Sequence, residues 1–247
     1  MFFEARGVSK SFGALMAVAS VSLQIAQGEV VSIIGPNGAG KTTLFNLITG
    51  VHTPDQGTIT FEDRDITRAG PDQLCRRGLA RSFQITNIFQ GLSVFENLRL
   101  ASQGRLGKMG LMGLVNRWRG PLEEAERLLN LLNLGEYKNE LAGNLSHGDQ
   151  RYLEMGIALA SRPSLLLLDE PTAGMTPSET RATSDLLKKV REQTTIVLIE
   201  HDLDVVFQVS DRIIVLHQGQ VLAQGLPQEV KANPEVQAAY FGEETDA

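Results

Sequence analysis

Residues 35–43 read Gly-Pro-Asn-Gly-Ala-Gly-Lys-Thr-Thr, a spacing of residue types that can bind phosphate groups. Glycines let successive backbone N–H groups point at one phosphate, and the N-terminus of a following helix adds a positive dipole end. Lys41 would reach the outer phosphates, and the Thr42 hydroxyl would ligate Mg²⁺. The predicted binding residues of this loop are Gly35, Pro36, Asn37, Gly38, Ala39, Gly40, Lys41, Thr42 and Thr43.

Two adjacent carboxyl groups, Asp169 and Glu170, follow a run of four leucines at 165–168. Ligands of open parallel sheets bind at the carboxyl ends of strands, so we expect this pair beside the phosphate-binding loop. Asp169 suits direct or outer-sphere contact with Mg²⁺, and Glu170 could orient or deprotonate an attacking water. Taken alone, the pair more often caps a helix that begins at Pro171, but the upstream phosphate loop favours the catalytic interpretation.

Two further segments carry side chains that could contact a phosphate. His201 follows the apolar run 195–199 and could hydrogen-bond a γ-phosphate or the attacking water, although a single histidine is often a packing or surface residue. Residues 145–150, Leu-Ser-His-Gly-Asp-Gln, precede a helical run from 151 to 160. Ser146 and Gly148 there could bind an anion, but local sequence alone favours a simple serine N-cap.

The elements that must position these residues alternate between strand and helix patterns. The alternation of apolar and polar residues at 21–25 predicts a half-buried strand. The unbroken apolar runs 165–168 and 195–199 are typical of parallel strands covered on both faces, with a crossover helix expected at 185–192. A hairpin is expected around Gly219. Together these patterns predict an α/β protein.

Strand patterns disappear between about residues 87 and 157, where helical periods replace them. We therefore expect an α/β core formed by 1–86 and 158–247, with 87–157 inserted as a helical subdomain. The whole chain, 1–247, would form one such domain. The segment 104–113 is rich in glycine and methionine and is expected to form a mobile loop.

Composition excludes some classes of protein. The chain has 247 residues and a formal net charge of −6, which argues against a nucleic-acid partner because phosphate backbones attract basic surfaces. Its one cysteine, Cys75, cannot form an intrachain disulfide, which suits a reducing cytoplasm. We find no signal peptide and no apolar run near the ~18 residues that a membrane span requires.

The order of these motifs resembles that of the ATPase subunits of ABC transporters, over essentially the whole chain. The resemblance rests on the phosphate loop, residues 81–84 (Arg-Ser-Phe-Gln), the Leu-Ser-x-Gly-x-Gln element at 145–150, the Asp-Glu pair and the histidine. It implies a P-loop ATPase core with a mainly parallel sheet and helices, an antiparallel β subdomain, and an inserted helical subdomain that carries the signature element. ATP and Mg²⁺ are the implied cofactors.

The resemblance also implies roles for individual residues. Ser146 and Gly148 would bind the γ-phosphate of an ATP held by the other subunit of a dimer, and Phe12 would stack on adenine. Gln84 would contact Mg²⁺ or the attacking water, and residues 172–175 would lie at the dimer seam. The implied catalytic residues are Glu170, His201 and Gln84, and the implied metal ligands are Thr42, Gln84 and Asp169. Departures from the common pattern, such as His147 in place of a glycine, remove no group that the chemistry needs.

Within the family, residues 199–203 and the tail at 233–243 resemble the ATP-binding subunits of branched-chain amino-acid importers. The expected partners are membrane permease subunits, a second identical or related ATPase subunit and, indirectly, a solute-binding protein. The expected location is peripheral, on the cytoplasmic face of the inner (plasma) membrane.

Other functions remain open on the sequence. Importers of urea or short amides share the same features, and ATPases of lipopolysaccharide export share much of the pattern with a weaker match in the tail. ABC ATPases that act on ribosomes or DNA usually join two cassettes or carry basic extensions, which this acidic chain does not show. A P-loop kinase or GTPase would have no reason for the element at 145–150.

Overall fold

A computed structural model of the chain describes residues 1–82, 88–104 and 119–241. The strands are Phe3–Phe12 (β1), Leu15–Ile25 (β2), Val30–Ile34 (β3), Gln56–Phe61 (β4), Arg64–Asp65 (β5), Leu79–Arg81 (β6), Leu165–Asp169 (β7), Thr195–Ile199 (β8), Arg212–His217 (β9) and Gln220–Gly225 (β10). The helices are Lys41–Ile48 (α1), Pro71–Arg76 (α2), Val94–Gln103 (α3), Arg119–Leu131 (α4), His147–Leu159 (α5), Pro177–Val190 (α6), Leu203–Val209 (α7), Pro227–Ala232 (α8) and Pro234–Phe241 (α9).

The larger sheet has the strand order β10-β9-β3-β8-β7-β6. Its strands pair in parallel except for β10, which forms the expected antiparallel hairpin with β9. Every residue of β3, β7 and β8 is buried. Helices cover one face of the sheet, and α1 together with the smaller sheet covers the other. The predicted buried parallel strands at 165–168 and 195–199 are therefore confirmed.

The smaller sheet is antiparallel, with the order β2-β1-β4-β5. Residues 21–25 of β2 alternate between buried and exposed positions, as their sequence predicts. The two sheets together confirm the predicted α/β class, with a mainly parallel sheet and an antiparallel β subdomain.

Helices α3, α4 and α5 lie within the segment that was expected to be a helical subdomain. Their buried side chains, including Leu98, Leu128 and Leu153, share one hydrophobic cluster with Leu166 and Leu168 of β7. The proposed boundary at residue 157 lies inside α5. The expected mobile loop at 104–113 lies outside the described residues, except for Gly104.

Two helix starts differ from the sequence-based expectation, and capping explains both. Helix α5 begins at His147 rather than near residue 151, because the Ser146 side chain accepts a hydrogen bond from the Asp149 N–H. Helix α6 begins at Pro177 rather than near 185, because Thr176 and Glu179 form a capping box. Among the residues described, no helix has the length and apolar character that crossing a membrane requires.

Candidate nucleotide-binding and hydrolysis site

The candidate site lies at the carboxyl ends of four neighbouring parallel strands, β3, β8, β7 and β6. The register pairs Ile199 of β8 with both Ile33 of β3 and Asp169 of β7, so these strands end at the same level. The segments that leave this edge are the phosphate loop after β3, Glu200 and His201 after β8, and Glu170 after β7. The topology therefore brings together the loop, the carboxyl pair and the histidine, as expected for a parallel sheet.

The backbone of the phosphate loop requires glycine at two closely packed positions. Gly35 has φ +154°, and a Cβ atom there would lie 2.1 Å from the Leu216 carbonyl oxygen. Gly40 has φ +97°, and its Cβ atom would lie 2.3 Å from the Ala17 carbonyl oxygen. The Gly219 N–H donates a hydrogen bond to the Ala39 oxygen at 3.0 Å. The loop is thus held by β2 and by the β9–β10 hairpin before any ligand binds.

Lys41, the first residue of α1, is buried against this loop. Its Nζ donates hydrogen bonds to the carbonyl oxygens of Gly35 at 2.6 Å and Pro36 at 3.0 Å. Burial lowers the pKa of Lys41, while the carboxylates of Glu170 and Asp169 act in the opposite direction. Carbonyl oxygens do not neutralise an ammonium group, so this buried lysine is poised to attract a phosphate. The Thr42 side chain beside it is exposed.

Asp169 has the features of a cation ligand. Its side chain has 0% exposure, and its Oδ2 accepts a 2.7 Å hydrogen bond from Arg81. Its Oδ1 is buried and has no hydrogen-bond partner within the described part of the chain. An orphaned carboxylate oxygen of this kind fits Mg²⁺, which favours oxygen ligands.

No group of three or more His, Cys, Asp or Glu side chains that could hold a metal is found in residues 1–82, 88–104 and 119–241. Mg²⁺ at Asp169 would therefore need phosphate oxygens and water to complete its shell, which is how Mg²⁺ is commonly bound beside nucleotides. Gln84, which is implied both as a metal ligand and as a catalytic residue, lies outside the described residues.

Glu170 and His201 face each other across the end of the sheet. Glu170 Oε1 lies 2.9 Å from His201 Nε2, and both side chains are partly exposed. Glu170 has φ +49°, a left-handed backbone that is uncommon for residues other than glycine. Strained backbone of this kind concentrates at functional sites, where it aims a side chain. A carboxyl group and an imidazole, both able to exchange protons, thus lie side by side at this edge of the sheet.

Ser146 is the N-cap of α5 and Gly148 lies in its first turn, so neither is at the strand edge. The Ser146 hydroxyl donates to Asp149 Oδ2 at 2.6 Å, which together with its capping bond confirms the local interpretation as an N-cap. A Cβ atom on Gly148 would lie 2.4 Å from Glu179 Oε1, so α5 and α6 meet closely here.

Phe12 lies at the end of β1 with 45% of its surface exposed. Its ring meets the His52 ring edge-on at 5.3 Å, and Lys10 Nζ lies 5.8 Å from its centroid. An exposed aromatic ring can stack on a base. The expectation that Phe12 contacts adenine stays a prediction.

Three further residues contact the site, although the sequence predicted no role for them individually. Arg81 pairs with Asp169 and also donates to Asn46 Oδ1 of α1 at 2.6 Å, so it joins the carboxylate to the helix behind the phosphate loop. Glu200 is 3% exposed and accepts hydrogen bonds from both loops that carry Glu170 and His201.

The third residue, Tyr240 of α9, packs against a cluster that includes Ile34 and Val215. Burial raises the pKa of Tyr240 to about 12, and a hydrogen bond with the backbone of Gly35 opposes this effect. All three contacts join segments far apart in sequence. Their positions in the sequence could have pointed to these residues. Arg81 and Glu200 stand at the ends of strands, and Tyr240 lies in the tail that resembles the branched-chain subfamily.

Comparison with known proteins gives consistent matches. The family model for ABC transporters matches residues 18–173, and the model for branched-chain amino acid ATP-binding cassette transporters matches residues 220–246. The high-affinity branched-chain amino acid transport ATP-binding protein LivG of Salmonella typhimurium is 43% identical over 245 residues, covering 96% of each chain. The corresponding protein BraF of Pseudomonas aeruginosa is 40% identical, covering 97% of each chain.

Solved structures match over similar lengths. MJ1267, an ATP-binding cassette of an ABC transporter, superposes with a TM-score of 0.87 at 32% identity, covering 98% of this chain and 99% of that one. The cassette MJ0796, described as a dimeric post-hydrolysis state bound to ADP and Pi, gives a TM-score of 0.78 at 28% identity, covering 92% of this chain and 99% of that one.

Proposed function

The chain belongs to the ABC transporter family of ATP-hydrolysing subunits, and we propose that it energises an importer of branched-chain amino acids. The observation that carries the substrate class is the match of residues 220–246 to the branched-chain family model. The described part of this match, residues 220–241, packs against Ile34, the residue before the phosphate loop. It therefore indicates the subfamily, and we do not propose that it contacts the transported solute. Importers of urea or short amides are the second candidate.

At the site, ATP would bind with its phosphates on the loop of residues 35–43, where Lys41 contacts the outer phosphates. Thr42 and Asp169 would hold Mg²⁺, which neutralises charge on the phosphate oxygens. Gln84 is proposed as a further ligand or a contact of the attacking water. Phe12 would stack on the adenine ring.

Hydrolysis requires a water oxygen to attack the γ-phosphorus while the bond to the β-phosphate oxygen breaks. Glu170 is proposed as the group that accepts the water proton, since its carboxyl oxygen is partly exposed at the strand edge. His201, 2.9 Å from Glu170, would fix the orientation of that carboxyl group and contact the γ-phosphate. The products are ADP and inorganic phosphate.

Two subunits would be needed for each complete site. Ser146 caps α5 and Gly148 lies in its first turn, outside the strand edge, and the Ser146 side chain is exposed. The α5 N-terminus offers N–H groups to an anion, and we propose that it binds the γ-phosphate held by a partner subunit. The cassette MJ0796, whose post-hydrolysis structure is dimeric with ADP and Pi bound, supports this arrangement.

The partners proposed are two membrane permease subunits, a second ATPase subunit and, through the permeases, a solute-binding protein. The chain would lie on the cytoplasmic face of the inner membrane. Its net charge of −6 is the reason for proposing no nucleic-acid partner.

Co-purification from host membranes tests this function. Tagged Glu170→Gln protein would be isolated from detergent-solubilised membranes with ATP and Mg²⁺, with Lys41→Ala protein as the nucleotide-binding control, and the recovered proteins identified by mass spectrometry. We expect multi-span permeases and an ATPase partner in the first sample. Radiolabelled leucine and urea uptake by the reconstituted complex then separates the two importer classes. Recovery of ribosomal proteins without permeases would overturn the transport assignment.

A further inference from the structure

We propose that Glu200 is a positioning residue, which acts through Thr172 to hold Glu170 and His201 in the geometry that hydrolysis requires. The proposal rests on the proposed roles of Glu170 and His201. Glu200 is the last residue before His201, and it is buried with 3% exposure at the end of β8. Its carboxyl oxygens accept hydrogen bonds from Thr172, His201 and Asp202, so we expect it to act through these neighbours.

The two oxygens of Glu200 bind two different loops. Oε1 accepts hydrogen bonds from the Thr172 N–H at 2.9 Å and from the Thr172 hydroxyl. Oε2 accepts from the N–H groups of His201 at 3.0 Å and Asp202 at 3.4 Å. One carboxyl group therefore joins the segment after Glu170 to the segment that begins with His201. A hydroxyl or an amide at this position offers fewer acceptor sites and could not serve both loops equally.

The backbone of Glu170 explains why such a link is needed. Its φ of +49° is a conformation that costs free energy in a non-glycine residue and persists only when surrounding contacts hold it. The Glu170 N–H is fixed to the Ile199 carbonyl oxygen at 2.9 Å, and the next described anchor along the chain is Thr172 on Glu200. The strained residue is thus held on both sides by β8 and Glu200.

The geometry of the Glu170–His201 contact depends on the same link. The 2.9 Å contact joins one side chain from each of the two loops that Glu200 holds. If the loops separate, the contact lengthens and the acceptor for the water proton moves. Misplacement of a reacting group by about 1 Å can cost on the order of 100-fold in rate.

The test compares variants that remove or keep the hydrogen bond between the Thr172 hydroxyl and Glu200 with a control at another buried threonine. Thr172→Val removes one hydroxyl donor to Glu200, and Thr172→Ser keeps it. Thr194→Val is the matched control, because Thr194 is equally buried at 7% and its hydroxyl donates to the Pro163 oxygen away from the site. Glu200→Gln replaces one acceptor oxygen with a donor and is the direct variant.

Three readouts are measured on each purified full-length variant: thermal stability, steady-state ATP hydrolysis resolved into kcat and KM, and the imidazole NMR signals of His201. The His201 signals are assigned with His201→Gln, since the chain contains only four histidines. Glu170→Gln serves as the reference for a site that has lost its proton acceptor.

We expect kcat to fall about 10-fold in Thr172→Val and about 100-fold in Glu200→Gln, with the KM for ATP unchanged. The His201 imidazole signals should shift in both variants. Thr194→Val should match Thr172→Val in thermal stability but keep wild-type kcat and wild-type His201 signals. Thr172→Ser, which keeps the hydroxyl donor, should also have wild-type kcat and His201 signals.

The proposal is overturned if Thr172→Val and Glu200→Gln retain wild-type kcat while Glu170→Gln is inactive, or if Thr194→Val loses as much activity as they do. If Glu170→Gln itself retains wild-type turnover, the proposed site assignment fails, and this outcome is distinct from failure of Glu200 alone.

Discussion

Lys41 illustrates how single residues prepare this site for an anion. Its buried ammonium group donates hydrogen bonds to the carbonyl oxygens of Gly35 and Pro36 in the same loop, and burial lowers its pKa. A buried cation without a full countercharge is costly, and a bound phosphate relieves that cost. Asp169 prepares the same site for a cation. Arg81 donates a hydrogen bond to its Oδ2, whereas its buried Oδ1 has no hydrogen-bond partner among the described residues.

Lys41→Ala should therefore weaken ATP binding by about 10- to 100-fold, the range expected for losing hydrogen bonds to a charged group. Titration calorimetry with ATP measures the effect directly. Lys188→Ala is the control, because that lysine pairs with Asp185 on the surface of α6 and lies outside the site. Unchanged ATP affinity in Lys41→Ala would refute the assignment of residues 35–43 as the phosphate loop.

The residues that could be predicted from the sequence are those whose role depends on local pattern. The glycines, Lys41 and the Asp169-Glu170 pair stand next to strand-like runs, and a parallel sheet places strand ends at one edge. Arg81 and Glu200 could not be assigned in this way. Their roles depend on partners at Asp169 and Thr172, which are distant in sequence and become neighbours only through the order of the strands.

At the scale of elements, the C-terminal helices α8 and α9 support the phosphate loop from behind. Val230 of α8 and Val236 of α9 pack with Ile34, the residue that precedes Gly35, and with β9. Tyr240 extends this contact to the Gly35 backbone. The tail that identifies the branched-chain subfamily thus contacts the nucleotide site through the core.

This packing predicts an alkaline destabilisation that depends on Tyr240. Its pKa is about 12 in the folded protein, against about 10 for an unfolded tyrosine. The contribution of the neutral hydroxyl is therefore complete below about pH 10 and is lost as pH rises towards about 12.

Urea unfolding of wild type and Tyr240→Phe across this range measures the difference. The stability advantage of wild type over Tyr240→Phe should shrink as pH rises, because phenylalanine does not ionise. A difference that is constant with pH would show that the Tyr240 hydroxyl does not occupy a buried environment.

Element boundaries show where sequence patterns fail. Helix α6 was expected at 185–192, where apolar periodicity is clear, but it begins at Pro177 because Thr176 and Glu179 cap it. Its first turns are exposed and polar, so no hydrophobic period marks them. The strands β7 and β8 were predictable because complete burial makes their apolar runs continuous.

At the scale of the whole molecule, the groups proposed to contact one ATP are divided between two regions. The phosphate loop, Asp169 and Glu170 lie at the strand edge, whereas Ser146 begins a helix of the segment inserted between β6 and β7. In the proposed dimer, this arrangement would be complete only when a second subunit supplies its α5 N-terminus. ATP would then join two subunits, and hydrolysis would release them. This closing and opening of the dimer is the motion that could drive a permease between its inward- and outward-facing states.

ATP-dependent dimerisation of Glu170→Gln protein tests this account most directly, with mass measured by light scattering in Mg-ATP and in Mg-ADP. The account predicts dimers in ATP and monomers in ADP, and turnover at least ~100-fold below wild type. Adding Ser146→Asp, which keeps an N-cap residue but brings a negative charge to the γ-phosphate, should abolish the dimer, whereas Ser146→Asn should not. Monomers in ATP, dimers indifferent to Ser146→Asp, or near-wild-type turnover in Glu170→Gln would contradict it.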